Sequence, residues 1–250
     1  ARERLKPHGE RTELVHAWYD EFLVSYDRDR RPDRILFDLG ISMVHLSPEG
    51  RGFSYKDGGA FDMRLNPEEE RNALDAIELL SQSELADVIY NYGEERLSRR
   101  IAAALKRSSG EITTAAEAAA VIVGAVPPKY RHRRLHPATR TFQAIRIWVN
   151  RELERLERAL PAALSNLRVG GIIGVISFHS LEDRIVKRFF RNISNSPADA
   201  PISFDGKDYR LEILTKKPVV PAEAETESNP ASRSAKLREA RKVVAEGVDQ

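Results

Sequence analysis

The chain has 250 residues, 40 basic against 38 acidic side chains, a formal net charge of +2 and no cysteine. That length suits one sizeable core with at most one appended lobe, and the near-cancelling charge excludes a general nucleic-acid coat, so any binding charge must be local. The missing thiols exclude disulfides, thiolate zinc sites and every mechanism in which sulfur attacks a substrate.

No apolar run approaches the ~18 residues that span a bilayer, and no charged-then-apolar signal opens the chain, which reads as cytoplasmic with no membrane partner. In chain order, "ARERLKPHGE" reads as a helix end running into a Pro-His-Gly turn. "TELVHAWY" (12–19) and "RILFDLG" (34–40) read as strands, the second short and apolar like a central strand covered on both faces. It closes on Asp38-Leu39-Gly40, so the carboxylate emerges at the strand's carboxyl end, where an acid either caps a helix or holds a ligand.

Roughly ninety residues then precede the next long helix, far more than an ordinary connection needs, and they read as an inserted helical lobe. Its "EGRGFSYKDGGAFDMR" places Gly50, Gly52, Gly58 and Gly59 where the backbone can approach a ligand or simply turn. Ser81 with Glu84 and Thr114 with Glu117 have capping-box spacing, and Gly93 and Gly110 sit where helices stop. "PPKYRHRRLHPATR" sets Lys129, Arg131, Arg133, Arg134 and Arg140 around Tyr130, with His132 and His136 among them. This densest positive patch is either a solvated loop or a surface for phosphate contact and base stacking on RNA.

From Pro137 a single long helix is expected, with Phe142, Ile145, Val149, Leu153, Leu156 and Leu160 on one core-facing stripe. Thr139, Gln143, Arg146 and Asn150 flank that stripe within an arc of about 60°, as a solvated shoulder or as the lining of a cleft. "GIIGVISF" (171–178) reads as the second central strand, breaking into Phe178-His179-Ser180 before the helix "LEDRIVKRFF". Ser180 reads as the N-cap with Glu182 and Asp183 in the positive first turn. Phe178 and His179 remain, an aromatic ring and an imidazole suited to holding a flat heterocycle. A hydrolase triad of His179, Ser180 and Asp183 is disfavoured, because neighbours at a strand end diverge in direction. "YRLEILT" (209–215) and "AKLREARKVV" (235–244) alternate more and suit a sheet edge, and 218–232 reads as a surface loop. Strands separated by helices argue for an α/β doubly wound sheet that binds ligands beyond its strands' carboxyl ends.

Taken together, "ILFDLGIS", "RGFSY", "DMRLNP", "YGEERLSRRIA", "HPATRTFQAIRIWVNREL", "GGIIGVISFHSLEDRIVKRFF" and "NPASRSAKLR" resemble, in order and spacing, the bacterial 16S ribosomal RNA cytosine-N4 methyltransferase family, RsmH or MraW. The resemblance implies methyl transfer from S-adenosylmethionine to the N4 amine of a decoding-centre cytosine within the 30S subunit. It implies a Rossmann-like methyltransferase domain (1–45 and 137–250) carrying an inserted helical, substrate-recognising domain (46–136), and family members suggest a homodimer. Tyr19, Asp38 and His45 then correspond to cofactor-contacting positions, His45 standing where the family usually has glutamine. Asp38, Ser177, Phe178 and His179 are expected around the reacting groups. Arg133, Arg134, Thr139, Arg140, Gln143, Arg146 and Asn150 are expected to face RNA, and no metal is expected.

The family's first sheet strands and glycine-rich cofactor loop lie upstream of Ala1, so these residues alone are expected to bind S-adenosylmethionine weakly or not at all. The cysteine count adds its own constraint: methylation at cytosine C5 needs a thiolate, so a nitrogen or oxygen acceptor is favoured. A non-catalytic ribosome-binding or assembly protein with a degenerate methyltransferase fold stays open as the alternative. A small-molecule methyltransferase is disfavoured by the basic aromatic segment.

Overall fold

The computed structural model describes residues 2–41, 51–55, 58–131, 135–194, 202–204 and 207–244. In chain order these form α1 (Arg2–Leu5), α2 (Tyr19–Val24), β1 (Arg34–Asp38), α3 (Ala73–Glu78), α4 (Gln82–Gly93), α5 (Ser98–Arg107) and α6 (Ala115–Ala125). There follow α7 (Pro128–Arg131), α8 (Ala138–Asn150), α9 (Glu152–Asn166), β2 (Ile172–Ser177), α10 (Ser180–Ser194), β3 (Ile202–Phe204), β4 (Lys207–Ile213), α11 (Glu223–Ser228) and β5 (Lys236–Val244). No helix among the described residues is long and apolar enough to cross a membrane. The chain divides into a sheet unit, Ala1–Leu39 with Glu154–Gln250, and a helical unit, Gly40–Leu153.

The sheet runs β1-β2-β5-β4-β3. β1 and β2 are parallel, in register from Arg34 opposite Ile172 to Asp38 opposite Ile176, and the remaining pairings are antiparallel. α9 and α10 supply Leu156, Leu160, Leu164, Val186 and Phe190 to a core that holds Phe37, Ile173, Val175, Leu211 and Ala240. This is a mixed α/β fold of the Rossmann-like methyltransferase kind, as expected.

Several expectations need correcting. "TELVHAWY" is not a strand: Leu14 and Val15 are exposed, and the segment ends in α2. β5 is central rather than an edge, and β1 takes the edge among the described strands. β5 tolerates the interior because its buried charges are met: Lys242 Nζ donates to Leu164 O (2.9 Å) and Leu167 O (2.8 Å), and Arg238 pairs with Asp183. The expected surface loop at 218–232 carries the short helix α11.

The long helix is two helices, broken at Arg151 with φ +50°. Its apolar stripe divides accordingly, Phe142, Ile145 and Val149 packing in the helical unit and Leu156 and Leu160 in the sheet unit. The unit boundary falls beside this break, so α8 packs in the helical unit, whereas the sequence reading began the second half of the sheet domain at 137.

In the helical unit both expected capping boxes form, together with a third from Asn72 and Asp75. Gly93 acts by close approach: a Cβ there would lie 2.5 Å from the Arg140 carbonyl oxygen, while the left-handed position after α4 is taken by Glu94. Gly52, at φ +76°, likewise serves the fold, since a Cβ would meet Ala60 O at 2.6 Å.

The Thr114 box gives a pH prediction. Glu117 accepts from Thr113 N, Thr114 N and Thr113 Oγ1, each at 2.9 Å, and returns its own N–H to Thr114 Oγ1 at 3.2 Å. Led by the Thr113 backbone bond, these hold the carboxyl down from 4.5 to about 2. A carboxyl lowered in the folded state stabilises it above the unfolded value, and that contribution fades as pH falls through the folded one. Glu117→Gln is therefore expected to melt below wild type at neutral pH, with the gap closing between about 4.5 and about 2. Thermal melts across that range check it.

Candidate active site

β1 and β2 end side by side. Because they are parallel and in register, Asp38 and the Ser177-Phe178-His179 turn emerge at the same end of the sheet, and Leu39 N still donates to Ile176 O at 3.0 Å. Asp38 is exposed and has no described hydrogen-bond or ion-pair partner. Gly40, at φ +95°, adopts a backbone conformation that side chains disfavour, immediately after this strand end. Tyr19 meets Phe37 of β1 edge-on, ring centroids 5.8 Å apart, which sets an aromatic wall against this strand.

The turn after β2 is organised by a residue the sequence reading had assigned only to the helix dipole. His179, not Ser180, caps α10: its carbonyl accepts from Asp183 N (3.2 Å) and its Nδ1 from Glu182 N (3.4 Å). Glu182 Oε2 accepts in return from Phe178 N (2.9 Å) and His179 N (3.3 Å). The reason lies in the third residue onward. From His179 it is Glu182, which can close a capping box; from Ser180 it is Asp183, which is held by Arg238 at 2.7 Å. His-x-x-Glu was the available signal.

With Nδ1 accepting, the neutral imidazole carries its proton on Nε2. Nε2 is buried and lies 3.3 Å from Glu182 Oε1 in an alignment too poor for a hydrogen bond, so this donor has no described hydrogen-bond partner. Buried polar atoms are normally satisfied, and an orphan at a strand's carboxyl end is a mark of a ligand site. Ser177 lies beneath the turn, 2% exposed, its Oγ donating to Lys236 O at 3.4 Å. It holds the tip of β2 to β5.

In the helical unit the polar row on α8 is largely engaged. Gln143 Nε2 donates to Tyr92 O (3.2 Å), and Arg146 pairs with Glu152 through two bonds of 2.8 and 2.9 Å. Asn150, 1% exposed, accepts from Leu65 N (2.8 Å) and donates to Met63 O (2.8 Å) and Arg146 O (2.9 Å). Expected at an RNA face, Asn150 is instead an internal bracket, because its amide has the donors and acceptor that the turn at Met63, φ +60°, leaves over. Thr139 is half-buried, and Arg140 stays exposed while donating to Glu94 O at 3.2 Å. His45, Arg133 and Arg134 lie outside the described residues.

A carboxylate without a partner among the described residues and an aromatic wall at a strand's carboxyl end fit S-adenosylmethionine, whose cationic sulfonium and ammonium and ribose hydroxyls call for acceptors beside a flat adenine. Fold and site together define an S-adenosylmethionine-dependent methyltransferase. The MraW methylase family model matches residues 1–243, and the chain belongs to that family. It is 49% identical over 249 residues to the ribosomal RNA small subunit methyltransferase H of Treponema denticola, covering 97% of this chain and 79% of that protein. The corresponding protein of Syntrophus aciditrophicus is 42% identical over 250 residues (97% and 79%). That of Saccharopolyspora erythraea is 43% identical over 249 (97% and 76%).

Proposed function

We propose that the protein methylates the N4 amine of a cytosine in 16S ribosomal RNA of the 30S subunit, in the cytoplasm. The observation that carries this reading is the pairing of two neighbouring strand tips, one with an acid and the other with an imidazole N–H that have no hydrogen-bond partner among the described residues. A cytosine N4 amine is a poor nucleophile because its lone pair is conjugated into the ring. It needs an acceptor for its protons and a fixed approach, which is positioning plus electrostatics.

Asp38 is the acceptor assigned to N4–H, His179 Nε2–H is the donor to the base's ring acceptors, and Phe178 supplies a stacking face. S-adenosylmethionine, when bound, supplies an electrophilic methyl group on a sulfonium. Transfer would break the methyl's bond to sulfur, leaving a neutral thioether, and the proton lost from N4 would pass to Asp38 or a water it holds. Tyr19 belongs to the cofactor side of this site. The helical unit is the recognition domain, its RNA contacts coming from Arg140 with Arg133 and Arg134.

The test is product identity. Unmethylated small ribosomal subunits are incubated with the protein and methyl-labelled cofactor, and the RNA is digested to nucleosides for mass spectrometry. N4-methylcytidine from one position is the expected result; label on C5, or on free cytidine in preference to the subunit, overturns the proposal.

A further inference from the structure

α10 sorts its charges by face. Its two acids turn inward, Glu182 (3% exposed) into the cap and Asp183 onto Arg238 and Lys236. Its four bases, Arg184, Lys187, Arg188 and Arg191, are all exposed. Spaced i, i+3, i+4 and i+7, they share an arc of about 100° opposite the buried Val186, Phe190 and Ile193. Like charges at those spacings weaken a helix, so the row is a cost to the isolated fold. The helix dipole accounts for Arg191 in the last turn and not for the three bases before it. Lys187, Arg188 and Arg191 make no ion pair with any described acid. An anion from outside would compensate them.

We propose that this row is a track for the phosphate backbone of the RNA substrate, leading away from the Phe178-His179 lip. The inference rests on the functional reading above and adds a binding surface to it. RNA is the partner because the row starts little more than one turn from the turn that caps the same helix and runs about 10 Å along it, room for about three phosphates of one strand. Phosphate contacts of this kind position the strand without reading its bases.

The experiment compares wild type with the triple variant Lys187→Ala/Arg188→Ala/Arg191→Ala in binding to unmethylated small ribosomal subunits across a salt series. Each lost phosphate contact removes about 0.7–0.9 from the slope of log K against log salt, so the slope should become shallower by about 2–3. Affinity at low salt should fall tenfold or more, while melting temperature and cofactor affinity stay at wild-type values. Lys187→Ala alone should shift the slope by about one third as much, and Lys187→Arg should retain it. If wild type binds subunits with a steep slope and the triple variant matches it, the track is wrong and the functional reading survives. If wild type itself shows no salt-dependent binding, the functional reading falls with it. Loss of self-association, or of binding to phosphatidylserine vesicles, with the RNA slope unchanged, would assign the row to another partner and also overturn the track.

Discussion

Asp38→Ala is expected to lower single-turnover methyl transfer to small ribosomal subunits by about 10²–10³-fold, the usual loss when one preorganised electrostatic partner of a transition state is removed. The same substitution should leave stability within about 0.5 kcal/mol of wild type, because the side chain is exposed and its loss leaves no described group unsatisfied. That contrast is what makes the test decisive. Asp38→Asn keeps the shape and an acceptor but loses the charge, so it should fall between the two. Cofactor titrations in the same variants separate the two contributions assigned to Asp38: a raised KM for S-adenosylmethionine reports cofactor contact, and a lowered kcat reports help to the departing proton. Full activity in Asp38→Ala would remove the residue from the site, and with it the argument that the paired strand tips are the reacting centre.

The strand tips were legible because burial leaves a plain mark. A short apolar run such as "RILFD" or "IIGVIS" has few alternatives once Gly and polar residues bound it, and both strands appear where the sequence places them. The order of the sheet was less legible. β5 carries Arg238 and Lys242 inward, and nothing local announces that Asp183 and the carboxyl end of α9 will receive them. The break between α8 and α9 was equally silent: Arg151 adopts a left-handed conformation with no Gly or Pro beside it, so the apolar period carries straight across. At the site, spacing alone assigned the cap of α10 to Ser180, since serine is the commoner cap. The partner that decides between Ser180 and His179 lies on β5, far along the chain. Local pattern therefore recovers elements, and long-range charge pairing decides their order and the role of each polar residue.

Arg155→Met carries the largest stability cost expected in the sheet unit. Asp20, fully buried in the first turn of α2, is held by Arg155 Nη1 at 3.0 Å, with the largely exposed Arg158 at 3.1 Å as its second partner. The same guanidinium lies 3.9 Å from the ring centroid of Trp18 and 3.1 Å from Glu21, so one side chain of α9 fastens the start of α2 through three contacts. Removing one partner of a buried ion pair costs about 3–5 kcal/mol, because the remaining charge is left without its counterion. A residual ion-pair contact with Arg158, which makes no hydrogen bond to Asp20 Oδ2, places the expectation at the lower end of that range. Asp20→Leu with Arg155→Met should recover much of the loss, since replacing both charges by apolar groups removes the orphan. Denaturant melts of the two single variants and the double variant give the coupling directly.

The effect should also reach the site, because Tyr19 lies between Trp18 and Asp20 and packs on Phe37 of β1. Releasing α2 would loosen that aromatic wall while leaving Asp38 and His179 in place. Arg155→Met is thus expected to raise KM for S-adenosylmethionine with kcat nearly unchanged, and to shift Trp18 fluorescence when measured in a Trp148→Phe background. A fall in kcat at unchanged KM would mean that α2 serves the reacting groups instead of the cofactor, and the assignment of Tyr19 would have to be withdrawn.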